Sequence, residues 1–168
     1  MNYKFRPATE SDAGEIWQIL QQAIARRKAD GSTQWQDGYP NPDVVKTDIQ
    51  NQYGYVITDG NNIAGYCAIM VNNEPAYEHI NGAWLTNNDF VVYHRVAVSE
   101  AYLGKGVAKE MLLYIEEFAK SKNINSVKVD TNFDNAGMLA LLHNFGYVHC
   151  GEVVMRGGVR MGFEKILG

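Results

Sequence analysis

Residues 93–98, Tyr-His-Arg-Val-Ala-Val, close a β-like run that begins at Phe90, and a short turn then leads into Gly104-Lys105-Gly106-Val107-Ala108. From there apolar residues recur at helical spacing, at Ala108, Met111, Leu112, Ile115, Phe118 and Ala119. The period thus changes from two to 3.6 across one glycine-bearing turn. A strand that passes through glycines into a helix leaves backbone N–H groups uncovered at the positive end of the helix dipole. This segment predicts an anion cradle, with a diphosphate as its natural guest and Lys105 as an added charge.

The remaining elements are built around that unit. Thr9 and Asp12 have capping-box spacing ahead of a stripe at Ile16, Ile19, Leu20, Ala23 and Ile24. Asn41 before Pro42 fits an N-cap with proline at the first helical position. Residues 55–57 and 63–71 read as strands, with Asp59-Gly60-Asn61-Asn62 as hairpin-turn chemistry between them. Residues 72–88 are less regular. Residues 127–129 read as a short strand, 135–144 as a helix and 148 onward as a strand, and Arg156-Gly157-Gly158 turns the chain into a last strand over 161–167. The order predicts an α/β (α+β) single domain over residues 1–168, a mixed central sheet of about seven strands with about four helices.

Composition narrows the function classes. The chain has 168 residues, 19 acidic against 15 basic, and 46% of it is hydrophobic. An acidic balance argues against a nucleic-acid partner, which ordinarily selects a basic stripe. The longest apolar stretch falls far short of the ~20 residues that span a bilayer, so no membrane partner is expected. The first residues lack a secretory pattern, which makes a cytoplasmic location the expectation. Cys67 and Cys150 lie in separate strand-like runs and read as reduced, buried small hydrophobes. His79, His143 and His149 have no zinc spacing with each other or with Cys150, so no metal is expected.

Among phosphate motifs, the P-loop signature fails because no Ser or Thr follows a Gly-Lys pair, and the dinucleotide fingerprint fails because Lys109 stands where a third small residue is needed. Leu103-Gly104-Lys105-Gly106-Val107-Ala108 instead resembles the Gln/Arg-x-x-Gly-x-Gly/Ala loop of the GNAT superfamily of N-acetyltransferases. Gly106 and Ala108 match its small positions, and Leu103 departs from Gln/Arg. A second block, Asn135 followed by Leu141, Gly146 and Tyr147, resembles the superfamily's Asn…Leu-Tyr-x-x-x-Gly-Phe pattern. The likeness is specific over residues 91–148.

That resemblance implies a GNAT-like fold with acetyl-CoA as cosubstrate. The backbone of Val96, Ala97 and Val98 would bind the pantetheine arm, and Leu103, Gly104, Lys105, Gly106, Val107 and Ala108 the diphosphate. Asn135 would lie near the thioester, although an N-cap role explains it equally. The acceptor would be a small-molecule or peptide amine, attacked directly, since no Cys or Ser stands in a nucleophile setting. Trp35, Tyr39 and Tyr93 fall where the superfamily builds its acceptor pocket. Trp35 reads equally as a core anchor for its loop.

Leu142 occupies the place of the superfamily's usual tyrosine acid, which keeps open a catalytically weak acyl-CoA binding domain. By chemistry His94 is the best base. Strand alternation puts it with Val92, Val96 and Val98, opposite Tyr93, Arg95 and Ala97, where it reads either as a base or as a hydrogen-bonded core residue. Glu100, or a more distant carboxylate acting through water, are the other bases the sequence leaves open. Homodimers are common in the superfamily, and the sequence does not select an oligomeric state.

Overall fold

The fold begins with a short carboxylate capping a turn. In the computed structural model, which describes residues 2–156 and 158–168, the Thr9 N–H donates to Asp12 Oδ2 at 2.8 Å and Arg6 Nη1 donates to the same oxygen at 2.7 Å. Asp12 therefore closes a 3₁₀ turn, Glu10–Asp12, and α1 (Ala13–Ala29) follows without a break. Next comes α2 (Pro42–Gln50), whose N-cap Asn41 accepts the Val44 N–H at 3.0 Å and whose proline costs no hydrogen bond at the first position. Gly157, assigned above to the final turn, lies outside the described residues.

Among the described residues eight strands and, with α1 and α2, four α-helices are present: β1 (Tyr3–Pro7), β2 (Gly54–Asp59), β3 (Asn62–Val71), β4 (Asn81–Gly82), β5 (Val91–Val98), α3 (Val107–Ser121), β6 (Ser126–Thr131), α4 (Ala136–Asn144), β7 (Val148–Met155) and β8 (Gly158–Ile166). The count exceeds the expected seven by β4, a two-residue strand inside the stretch that reads as irregular. The final strand also starts earlier than expected, at Gly158. Parallel and antiparallel pairings both occur, so the fold is mixed α/β as predicted.

Contacts group the chain into two compact units, one running to Ile69 and resuming over Arg95–Tyr114, the other comprising Met70–His94 and Ile115–Gly168. In the first, the strand order is β1-β2-β3-β5, with β1, β2 and β3 antiparallel and Val56 opposite Tyr66. Ile16, Ile19, Leu20 and Ala23 of α1 are buried with Val45, Val56, Ile63, Tyr66 and Ala97. Each fully buried Ile or Leu contributes about 1.5–3 kcal/mol, which stabilises the helix where its mean hydropathy alone would not.

In the second unit the order is β5-β6-β8-β7-β4. β6 pairs antiparallel with β8 along its whole length, from Ser126–Ile166 to Thr131–Met161. Its parallel pairing with β5 covers only Val91–Val127 and Val92–Lys128. β4 meets β7 through two facing glycines, and a Cβ at Gly82 would stand 2.2 Å from the Cys150 carbonyl oxygen. Only glycine permits that approach.

Candidate active site

The first unit carries the predicted anion cradle. β5 ends at Val98, the Ser99 N–H donates to the Ala64 carbonyl at 2.8 Å, and a turn at Glu100–Tyr102 brings the chain to the glycines. Gly104 and Gly106 have φ of 74° and 77°, left-handed values that disfavour any side chain, and the space where a Cβ would project is open at both. The first helical bond after them runs from the Glu110 N–H to the Gly106 carbonyl. The N–H groups of Val107, Ala108 and Lys109 therefore stand ahead of the helix ladder. Together they suit a diphosphate. Leu103 is 45% exposed beside them, and Lys105 lies over the Tyr102 ring while its carbonyl accepts the Tyr3 hydroxyl.

Upstream of the loop the strand is not a regular pleat. Arg95 has φ of 56°, a left-handed conformation for a long side chain, and this interrupts the alternation expected along residues 92–98. Its side chain meets a distant carboxylate. Asp48 of α2, 3% exposed, accepts Arg95 Nη2 at 2.6 Å and Nε at 2.8 Å, and it also accepts the Tyr66 hydroxyl at 2.6 Å. Burial opposes the guanidinium charge, but Asp48 and Tyr39 outweigh it and hold Arg95 firmly protonated. Tyr39 is thus placed against Arg95 through its hydroxyl. Trp35 packs on the cluster formed by α1 and β2, as a partly buried anchor. Val98, expected to offer its backbone to the pantetheine, already has its carbonyl bonded by Arg26 Nη2 at 2.9 Å, while Ala97 is buried and Val96 half-buried.

The second unit places the other predicted residues. Tyr93 is fully buried and its hydroxyl donates to Tyr147 at 3.2 Å. His94 lies between two carboxylates that the sequence reading did not single out: Nε2 is 2.9 Å from Glu74 Oε2, and Nδ1 is 3.7 Å from Asp130 Oδ2. The Nε2 contact is off the ring's donor direction, so that nitrogen makes no aligned hydrogen bond. Burial works against ionisation of Glu74, yet the contact with His94 prevails and holds its carboxyl below the usual range. Asp130 also accepts the Tyr77 hydroxyl at 2.7 Å. Nothing local marks either carboxylate, and Asp130 falls just past the strand expected over 127–129.

Asn135 caps α4 by accepting the Met138 N–H at 3.2 Å. Leu142 is fully buried. Among the described residues no group of three or more His, Cys, Asp and Glu side chains is placed to hold a metal ion, and no helix is long and apolar enough to cross a membrane.

Comparison with known proteins decides the family. Residues 16–147 match the acetyltransferase (GNAT) family, and a GNAT-family acetyltransferase from Streptococcus agalactiae superposes with a TM-score of 0.91 at 32% identity, over 99% of this chain and 96% of that one. The chain belongs to the GNAT family. Two further GNAT-like structures share the fold: an acetyltransferase of the family from Listeria monocytogenes (TM-score 0.78, 20% identity, 98% and 95% of the two chains), and yncA from Salmonella typhimurium, solved with its cofactor acetyl-CoA (TM-score 0.68, 17% identity, 100% and 95%). No curated protein sequence matches the chain.

Proposed function

We propose that the chain is an acetyl-CoA dependent N-acetyltransferase that acetylates a primary amine of a small molecule or peptide by direct attack. The observation that carries this reading is the pair of left-handed glycines at the start of α3, with open space above them. Val96 and Ala97 would offer backbone groups to the pantetheine arm, with Val98 contributing its N–H. Residues Leu103, Gly104, Lys105, Gly106, Val107 and Ala108 would hold the diphosphate, and Asn135 would sit by the thioester. Acetyl-CoA supplies the activated acetyl thioester.

A lysine-like amine, with a pKa of ~10.4, arrives protonated at neutral pH. Glu74 attracts the ammonium and relays its proton to His94 Nε2, which is buried against the Glu74 carboxylate. Asp130, 3.7 Å from Nδ1, stabilises the imidazolium that forms. A backbone N–H of residues 96–98 meets the charge that develops on the acetyl oxygen as the new N–C bond forms and the C–S bond breaks. Leu142 has no proton to give, so the leaving thiolate, with a pKa of ~8.5, gains through water the second proton, which the nitrogen sheds on becoming an amide. A cytoplasmic enzyme, monomeric or homodimeric, fits this reading.

The fully buried Leu142 favours one alternative, an acyl-CoA binding domain with little turnover. Calorimetry with acetyl-CoA, ATP and NAD, followed by coenzyme A release across a panel of amines, tests both. Selective binding with turnover supports the transferase; binding without turnover on any amine supports the alternative; preference for ATP or NAD overturns both.

A further inference from the structure

We propose that the cavity of about 240 Å³ in the second unit, beside Glu74, binds an amino-carboxylate, a small molecule carrying both a primary amine and a carboxylate, and that this is the acetyl acceptor. The inference rests on the transferase reading above and narrows its acceptor. The cavity is walled by Glu74, Tyr77, Glu78, Trp84, Phe90 and Lys128. Its size lies below the roughly 300–1,000 Å³ of pockets for drug-sized ligands, which favours a single small metabolite over a peptide.

Lys128 supplies the decisive feature. Its side chain belongs to a residue only 4% exposed, and its ammonium lies 4.5 Å from the Trp84 ring centroid and 4.3 Å from that of Phe90. Among the described residues no carboxylate, carbonyl or hydroxyl hydrogen-bonds it. Desolvation draws its pKa down, against the attraction of Glu164. Yet Glu164 is committed elsewhere: its carboxylate accepts the Leu85 N–H at 2.7 Å, the Thr86 hydroxyl at 2.9 Å and the Ser126 hydroxyl at 2.6 Å. A buried ammonium with aromatic faces around it and no acceptor is a site for a ligand's carboxylate.

Glu74 forms the opposite pole. Its Oε2 contacts the proposed base His94, so a proton from a ligand ammonium drawn to Glu74 reaches His94 through that carboxylate. Trp84, Tyr77 and Phe90 line the space between the poles with ring surface. One ammonium, Lys128, and two carboxylates, Glu74 and Glu78, line the small cavity. This set selects a zwitterion over a simple amine, which would leave Lys128 unanswered, and over a simple acid, which the carboxylates would repel.

The test is calorimetry on the full chain with coenzyme A present, using the common L-amino acids and their decarboxylated amines, for example leucine with isopentylamine and phenylalanine with phenethylamine. At least one amino acid should bind about tenfold or more tightly than its own amine, and Lys128→Met should erase that difference. The ligand pairs examine the carboxylate contact on the unmodified protein, so the test does not depend on the variant folding. Failure of every amino acid to bind, equal binding of acid and amine, or a preference that survives Lys128→Met overturns the proposal. Coenzyme A release separates the two readings: amino-acid binding without release removes the transferase reading and leaves the site standing, whereas release on simple amines with no amino-acid preference does the reverse.

Discussion

Replacing Asp48 with asparagine tests whether a buried ion pair holds the strand that leads into the cofactor loop. Asp48→Asn keeps the shape and one acceptor oxygen but removes the charge that Arg95 meets through Nη2 at 2.6 Å and Nε at 2.8 Å. The Arg95 side chain is 11% exposed and that of Asp48 4%, so water cannot take the place of the lost partner. Breaking one side of a buried pair costs about 3–5 kcal/mol. Misplacing the acceptor of the Tyr66 hydroxyl adds about 1 kcal/mol. At roughly 2–4 °C per kcal/mol for a chain of this size, Tm should fall by about 8–24 °C. Urea unfolding followed by tryptophan fluorescence measures the free energy directly. Asp12→Asn provides the control, because its partner Arg6 is 44% exposed and such pairs contribute about 1 kcal/mol or less. A loss for Asp48→Asn no larger than for Asp12→Asn refutes the argument. Since Arg95 directly precedes Val96, the variant should also bind acetyl-CoA more weakly under conditions in which it remains folded.

Three other outcomes are expected. Gly106→Glu should weaken acetyl-CoA binding by about tenfold or more, because a side chain is strained at φ 77° and its charge opposes a diphosphate; unchanged affinity in a titration excludes the cradle. His94→Ala should lower kcat by about 10²-fold or more with little effect on cofactor affinity, and the acidic limb of the pH–rate profile should vanish; retained turnover removes His94 as base. The Arg6 hydrogen bond, opposed by burial and aided by Thr9, holds the Asp12 carboxyl below its ordinary value. Its contribution to stability is therefore complete above about pH 4 and declines as pH falls through the lowered pKa, so Arg6→Met should flatten the acid limb of a stability profile followed by circular dichroism.

What could be read in the sequence was local. The Asn41-Pro42 cap, the Asp59–Asn62 turn and the glycine-to-helix switch at Gly106 each declare themselves within a few residues, and all three are found where they were expected. The left-handed Arg95 does not, because residues 91–98 look like an uninterrupted strand and the carboxylate its side chain meets is 47 positions away. β4 was hidden for a different reason: Asn81 and Gly82 have little strand propensity, and their pairing depends on Gly151, whose lack of a side chain has meaning only once the two backbones are known to touch. Glu74, Lys128 and Glu164 were passed over because a charged residue in isolation reads as solvated, and only the tertiary structure buries them.

Glu164 has a consequence for how this protein can change. It fastens the segment carrying Trp84 through the main-chain N–H of Leu85 and the hydroxyl of Thr86, while the Ser126 hydroxyl ties the same carboxylate to β6. The scaffold and the lining are thus separately encoded. Substitutions at Trp84, Asn87 or Asn88 can alter what the cavity accepts while the backbone stays moored, which gives a lineage room to drift from one ligand to another without passing through an unfolded ancestor.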